Sequence, residues 1–270
     1  MVQVTKLRSI SATFGIATAL FSGAALAADS GGLKLQAGGF VGMAPEYEGS
    51  KDYKVIGAPI IAPAGVGGMG DGMIQFRGPD DLRLRVINFS GFEAGPLAGW
   101  RFSRDESDSE RLRGLGDVDG GLVLGGYAGY HIGPFMPFVS YHHDVSSDDD
   151  TGGVLRFGSE AKANLGAGLT VMAKAGASYA NDNYMDAYFT VTPAQSASSK
   201  AGLAAFDAQS GIKDVFFGLS GEIPITQDWA FIWSGTYSRL LGDAADSPIV
   251  ETENQFYGGV GLTYTFDSGF

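Results

Sequence analysis

Cysteine is absent from the 270 residues, which excludes a disulfide framework and any thiolate nucleophile or thiolate metal ligand. An exported chain without bridges has to hold itself together with a large sheet or core. Long apolar runs are missing too. Past residue 27 no uninterrupted stretch approaches the roughly twenty residues a transmembrane helix needs, so any crossing of a membrane has to be made by strands closed into a barrel. Positive charge is scarce: 18 Lys+Arg stand against 30 Asp+Glu, and residues 1–27 hold only Lys6 and Arg8 of that basic total. The balance argues against nucleic acid as a partner, because phosphate binding wants a basic surface.

What is abundant fits strands with a crowded interior and an aromatic exterior: 42 Gly, 18 Phe and 11 Tyr. Residues 1–27 read as a secretory signal peptide, with Lys6 and Arg8, an uncharged run from Ile10 to Leu26, and Ala25-Leu26-Ala27 as the small-x-small cleavage site. Residues 28–270 then form one domain. Its end is informative. From Phe256 the even positions carry Phe256, Val260, Leu262, Tyr264, Phe266 and Phe270, while the odd ones are mostly small and polar. A period of two with one oily face, running to an aromatic last residue, suits the closing strand of a membrane barrel.

Twelve alternating segments follow from this pattern: Leu33–Met43, Tyr53–Ile61, Met73–Arg77, Leu82–Asn88, Phe92–Phe102, Gly121–Tyr130, Phe135–Val145, Val154–Lys162, Leu169–Tyr179, Val215–Ile223, Trp229–Leu240 and Phe256–Phe266. The predicted fold is all-β, a transmembrane antiparallel β-barrel of about twelve strands. Connections 44–52, 103–120, 146–153, 180–214 and 241–255 are long and polar, whereas 89–91, 131–134, 163–168 and 224–228 are short. Outer-membrane barrels have that asymmetry, with the long loops outside. The 78–81 turn and the Gly-rich 62–72 do not follow it. The long connections hold acidic clusters at 105–110, Asp144 with Asp148-Asp149-Asp150, and Asp243 with Asp246. These are solvated loops, with divalent-cation sharing as the sharper reading.

Charge decides which face is which, since a charge facing lipid costs about 2–4 kcal/mol at the midplane. The lumen therefore receives Lys34, Arg77, Arg83, Arg85, Glu93, Arg101, Arg156, Glu160, Lys162, Lys174 and Glu222, and the lipid receives Trp100, Phe102, Trp229, Phe231, Trp233, Tyr237, Phe266 and Phe270. Two readings of the lumen stand. In one, the arginines pair with Glu93 and Glu160 and fill a narrow interior. In the other, Arg77, Arg83, Arg85 and Arg101 make a basic stripe for anionic solutes.

Candidate chemistry is thin. Ser140, His142 and Asp144 lie at i, i+2 and i+4, about 6.6 Å apart along a strand, too far for nucleophile and base to meet. His142 and His143 point to opposite faces, so they do not share a metal, and His131 falls at a turn. Gly65-Val66-Gly67 has no following helix and is not a phosphate loop. No catalytic, cofactor or metal residues are assigned.

Four stretches carry a resemblance: Ala44-Pro45-Glu46-Tyr47-Glu48-Gly49-Ser50, Leu112-Arg113-Gly114-Leu115-Gly116-Asp117-Val118-Asp119-Gly120, Tyr184 to Pro193, and Ser238 to Val250. Together, and in this order, they resemble the MipA/OmpV family, the MltA-interacting proteins of Gram-negative outer membranes. The resemblance implies an outer-membrane barrel without catalytic residues or cofactor, in the name-giving case a scaffold joining a lytic transglycosylase to a peptidoglycan synthase. Family membership fixes architecture better than role. The function expected is such a scaffold, with a small porin-like channel as alternative and an outer-membrane hydrolase as the third. Most of these motifs fall on outward connections, whereas a cell-wall partner touches the periplasmic turns. Either the motifs fold back to brace the barrel, with Arg113, Asp117 and Asp119 as internal ion pairs, or inside and outside are exchanged.

Overall fold

The computed structural model describes residues 34–63, 72–145, 151–166 and 168–267. The signal peptide of the sequence reading, the Gly65-Val66-Gly67 stretch, Asp148-Asp149-Asp150 and Phe270 lie outside the described residues, as does the side chain of Lys34.

Alternation of apolar and small or polar residues builds thirteen strands: β1 Lys34–Pro45, β2 Tyr53–Pro63, β3 Ile74–Gly78, β4 Asp81–Leu84, β5 Ile87–Phe89, β6 Phe92–Arg101, β7 Gly121–Tyr130, β8 Phe135–Asp144, β9 Gly153–Asn164, β10 Thr170–Ala180, β11 Gly211–Pro224, β12 Trp229–Leu240 and β13 Asn254–Asp267. The fourth predicted strand is interrupted. β4 and β5 both pair with β6, as Leu82↔Ala98 and Ile87↔Ala94, with 85–86 between them. Counted as one, they bring the wall to twelve.

Every ladder is antiparallel, and the order is β2-β1-β13-β12-β11-β10-β9-β8-β7-β6-β4-β3, so the first strand is zipped to the last. The ends of this order, β2 and β3, are consecutive in the chain, and no ladder joins them among the described residues. The fold is a curled antiparallel β-barrel wall whose seam lies between β2 and β3.

The exterior is oily. Leu82, Trp100, Leu122, Leu124, Val139, Phe157, Phe217, Trp229, Val260 and Leu262 are all exposed there. Aromatics pair across strands near both ends of the wall, Trp229 with Tyr264 and Tyr237 with Phe256, each at 5.0 Å between ring centroids. Residues 229 and 237 are about 26 Å apart along a strand, which at the usual tilt is about 20 Å along the membrane normal, close to the ~25 Å band of an outer-membrane barrel. Trp233 lies directly over Gly221 of the neighbouring strand, where an added Cβ would come within 2.3 Å of the indole. The aromatic thus covers a backbone stretch that glycine leaves bare.

The connections at the end away from Lys34 and Asp267 carry three helices, α1 Asp182–Phe189, α2 Pro193–Ser198 and α3 Gly242–Asp246. The sequence reading gives 180–214 only as one long polar outward connection; the structure folds part of it into α1 and α2. Asn181 caps α1 by accepting from Tyr184 N, and Thr192 with Gln195 forms a capping box on α2 behind Pro193.

Candidate functional site

Two layers close the barrel. The first is a belt of charges on the inner face. Arg83 of β4 is buried, and it donates from Nε and Nη2 to the Asp81 carboxylate at 2.8 and 2.9 Å and from Nη1 to Glu160 Oε1 of β9 at 3.1 Å. Its guanidinium lies 4.9 Å over Tyr127 and 5.0 Å over Phe138. Arg77 of β3 takes the other Glu160 oxygen at 2.8 Å, and Lys174 of β10 donates to the Arg77 carbonyl at 3.2 Å. Arg156 of β9 grips Asp80 with both ends of its fork, at 3.0 and 2.6 Å. β6, β7 and β8 stand between β4 and β9 in the wall, so these pairs run across the interior rather than along it.

A second knot lies nearer the short turns. Glu93 of β6 receives Arg85 at 3.5 Å, His131 Nε2 at 3.1 Å and Gln75 at 3.4 Å. Arg101 finds no carboxylate in an ion pair among the described residues and donates to Thr151 O and Gly152 O, each at 3.0 Å. Lys162 is half-buried one turn of the alternation from Glu160. Opposite the charges, the inner faces of β12, β13 and β1 are small or uncharged, with Ala230, Ser234, Thr236, Gly259, Thr263, Gln36 and Gly42.

Of the outward set, Trp100, Phe102, Trp229 and Phe266 are exposed on the exterior, while Phe231, Trp233 and Tyr237 are half-covered by neighbouring exterior side chains. Arg77, Arg83 and Arg85 do not form a free basic stripe, because each holds a carboxylate. Asp80 and Asp81 escaped the sequence reading, which takes 78–81 as a plain turn. Two adjacent aspartates followed by Arg83 were the signal.

The Ser140–His142 geometry needs correcting as well. Their Cα atoms are two strand positions apart, yet the side chains lean together and Ser140 Oγ lies 2.9 Å from His142 Nε2. The other ring nitrogen faces the Asp80 carbonyl at 3.0 Å. A carbonyl can only accept, so Nδ1 carries the hydrogen and Nε2 accepts from the serine. Asp144 turns elsewhere and accepts from Thr151 Oγ1 at 2.6 Å. Both Ser140 and His142 are buried, so the pair is a structural bond within the belt.

The second layer is a cap made from the long connections. One apolar cluster joins Tyr184, Met185, Tyr188 and Phe189 of α1 to Val118, Val154, Ala208, Leu240 and Ala244; another joins Tyr47, Leu112, Leu115, Val191, Leu203 and Ile249. Phe206 packs against both. Polar bonds tie the same segments. Tyr47 Oη donates to Ile249 O at 3.2 Å and Glu251 at 3.0 Å, and Tyr184 Oη donates to Glu48 at 2.8 Å. Arg111 Nε reaches Pro248 O and Ile249 O, Arg104 Nη1 reaches Tyr188 O, and Ser247 Oγ reaches Phe189 O.

Burial pushes the phenols of Tyr47 and Tyr184 well up, with Glu251 and Glu48 respectively adding to it; both stay neutral donors. Arg113, Asp117 and Asp119 are not internal ion pairs: Arg113 meets Glu110 at the surface, Asp117 accepts from Glu106 N, and Asp119 is exposed. The arginines that brace the cap are Arg104 and Arg111, each reaching carbonyls of a different segment.

A family model, MltA-interacting protein MipA, matches residues 37–266. The chain belongs to the MipA family. The four stretches on which the sequence resemblance rests meet in the cap, where Tyr47, Leu112, Val191 and Ile249 share one cluster. Among relatives, the outer membrane protein Omp26La of Vibrio anguillarum is 26% identical over 183 residues, covering 67% of this chain and 66% of that protein. Outer membrane protein OmpV of Vibrio cholerae is 26% identical over 174 residues, covering 63% of this chain and 64% of that one. The chain therefore spans just under two thirds of either relative. An outer membrane channel from Pseudomonas putida F1 superposes with a TM-score of 0.42 at 11% identity, covering 88% of this chain and 97% of that one. CymD, a monoaromatic hydrocarbon channel, gives a TM-score of 0.32 at 11% identity over 88% of both chains. This MipA-family protein is an outer-membrane β-barrel, and its relatives are named as outer membrane proteins rather than enzymes.

Proposed function

We propose that this MipA-family barrel is non-enzymatic and non-conducting, and that it works through its surfaces as a scaffold for peptidoglycan-remodelling enzymes, a lytic transglycosylase and a peptidoglycan synthase. The single observation behind this reading is the charge belt, in which Arg83–Glu160 and Arg156–Asp80 bridge the interior beneath a packed cap. A solute path along that side requires breaking buried ion pairs, each of which costs about 3–5 kcal/mol to unpair. The family's description, which names an interaction with MltA, supports the scaffold role.

The short-turn end, taken as periplasmic, offers the surface. Ile132, Leu165 and Ile225 stand on three successive short turns and are 60%, 64% and 58% exposed. Apolar tips in consecutive turns suit a partner's apolar groove better than they suit water. The test is capture of a lytic transglycosylase from detergent-solubilised outer membranes. The native barrel is expected to retain it, and a barrel carrying Ile132→Glu, Leu165→Glu and Ile225→Glu, still heat-modifiable on gels, is expected to release it. A folded native barrel that retains none defeats the reading.

A further inference from the structure

The charges crowd one side of the interior and leave a band on the other side without any. From Gln36 to Ala44 on β1, Ile56 to Ile60 on β2, Ala230 to Ser238 on β12 and Tyr257 to Thr265 on β13, no residue on either face is charged, and these four strands are neighbours in the wall. Barrel interiors are ordinarily polar. Here Ile56 and Ile60 lie opposite Gly42 and Gly38, on the face that Gln36 shows to the interior, and Phe40 stands between them opposite Ala58. Ile232 of β12 and Phe216 of β11 extend the apolar surface.

These side chains lie flat against the wall. An added Cβ would come within 3.1 Å of the Phe40 ring at Gly42 and within 2.7 Å at Gly259; Ile232 covers Gly261 at 3.0 Å, and Phe216 covers Gly176 at 2.8 Å. Large groups spread over glycine pave a wall rather than fill the space before it. That space shows in the exposure of inward residues: Tyr257 is 37% exposed, and Ala58 is exposed as well. A wall of twelve strands is also wider than the eight whose interior side chains just fill it.

The paved side borders the bilayer. β2 has eleven residues and β3 five, so much of the outer edge of β2 has no strand against it among the described residues. Pro59 and Pro63 sit opposite Gly39 and Leu35 in an unbroken ladder with β1, so the N–H that each lacks is one that would face the seam.

We propose that the uncharged half of the interior is a binding chamber for a small neutral apolar molecule drawn from the adjoining bilayer. The lining selects the class. A charged ligand would be buried there without a partner, whereas an apolar one gains contact with Phe40, Ile56, Phe216 and Ile232. The same lining excludes ions.

The test is photolabelling of the full barrel in lipid nanodiscs with a trifluoromethyl-phenyl diazirine dissolved in the bilayer, labelled residues being located by mass spectrometry and naphthalene serving as competitor. Lipid-facing Val260 and Leu262 are expected to take label in proportion to the probe and to ignore the competitor. Phe40, Ile56, Ile60 or Ile232 is expected to take label saturably and to lose it to naphthalene. Ile56→Glu with Ile232→Glu is expected to lower the saturable labelling about tenfold, with heat modifiability and exterior labelling unchanged. Ser234→Phe, which fills the chamber without adding charge, is expected to do the same. Inner residues that stay unlabelled, label that neither saturates nor yields to naphthalene, equal labelling by a carboxylated form of the probe, or saturable label untouched in the folded variants overturns the proposal.

Discussion

The belt and the cap solve the same problem, closing a barrel, with opposite materials. Inside the wall the contacts that cross the interior are charges: Arg83, Arg77 and Glu160, with Arg156 and Asp80 beside them. Above the wall they are apolar side chains, with Phe189, Leu112, Met185 and Ile249 fully buried. The membrane explains the exchange. Where lipid wets the outside, the strand faces that would form a soluble core point outward, and the polar alternates must satisfy each other within. Where water surrounds the loops, the ordinary rule returns and apolar residues go in. The two regions should therefore fail in different ways.

The largest effect is expected from Arg83→Ala, which strips two buried carboxylates, Asp81 and Glu160, of a partner at once. A loss of about 3–5 kcal/mol is predicted, in the whole barrel, read as a lower urea midpoint in detergent. Replacing the set by apolar residues of similar volume should cost far less, because no charge is left behind. Phe189→Ala should cost about as much locally, about 3–5 kcal/mol, by opening a cavity in the cap. Its signature is different: faster proteolysis within 180–210 with an unchanged barrel midpoint. Equal loss in both readouts would mean that belt and cap unfold as one unit.

Gly114→Ala probes the cap's backbone. Gly114 has φ +89°, and an added Cβ would fall 2.2 Å from the Ser198 carbonyl oxygen. About 1–3 kcal/mol of strain is predicted, again confined to proteolysis of the cap. The smallest effect concerns pH. Partial burial works against the Glu251 carboxylate, but hydrogen bonds from Lys51 and Tyr47 outweigh it and hold its pKa below the ordinary 4.5. A carboxyl lowered in the folded state stabilises above its ordinary value, and that contribution is lost as pH falls through the folded one. Cap proteolysis should thus quicken below about pH 4.5, and Glu251→Gln should flatten the change by under about 1 kcal/mol, since Lys51 is largely exposed.

Much of the wall was legible in the sequence, because period-two alternation acts locally and each strand declares its own faces. Trp229, Phe231, Trp233 and Tyr237 against Ala230, Ser234, Thr236 and Ser238 needed no partner strand to be read. The pairing of wall arginines with Glu93 and Glu160 was legible as one of two options, since charge cannot sit in lipid. That the long connections fold back to brace the barrel was legible as one of two options, but which residues make the cap was not. Its core takes Tyr47, Leu112, Val191 and Ile249 from four segments; the first three are each flanked by polar residues, Ile249 lies in a run of only three, Pro248-Ile249-Val250, and none shows a periodicity that separates it from a loop residue. Only α1 left a trace, in the helical spacing of Tyr184, Met185, Tyr188 and Phe189. The break at 85–86 left none; Arg85 N bonds to Met73 O and Val86 N to Ala94 O, a local rearrangement that residue type does not announce.

The claim on which the rest depends is that the interior is bridged and capped. Conductance of the reconstituted native barrel in a planar bilayer tests it most directly. A flat baseline without channel steps is predicted at neutral pH, whereas steady ohmic conductance from the unmodified protein would contradict the account.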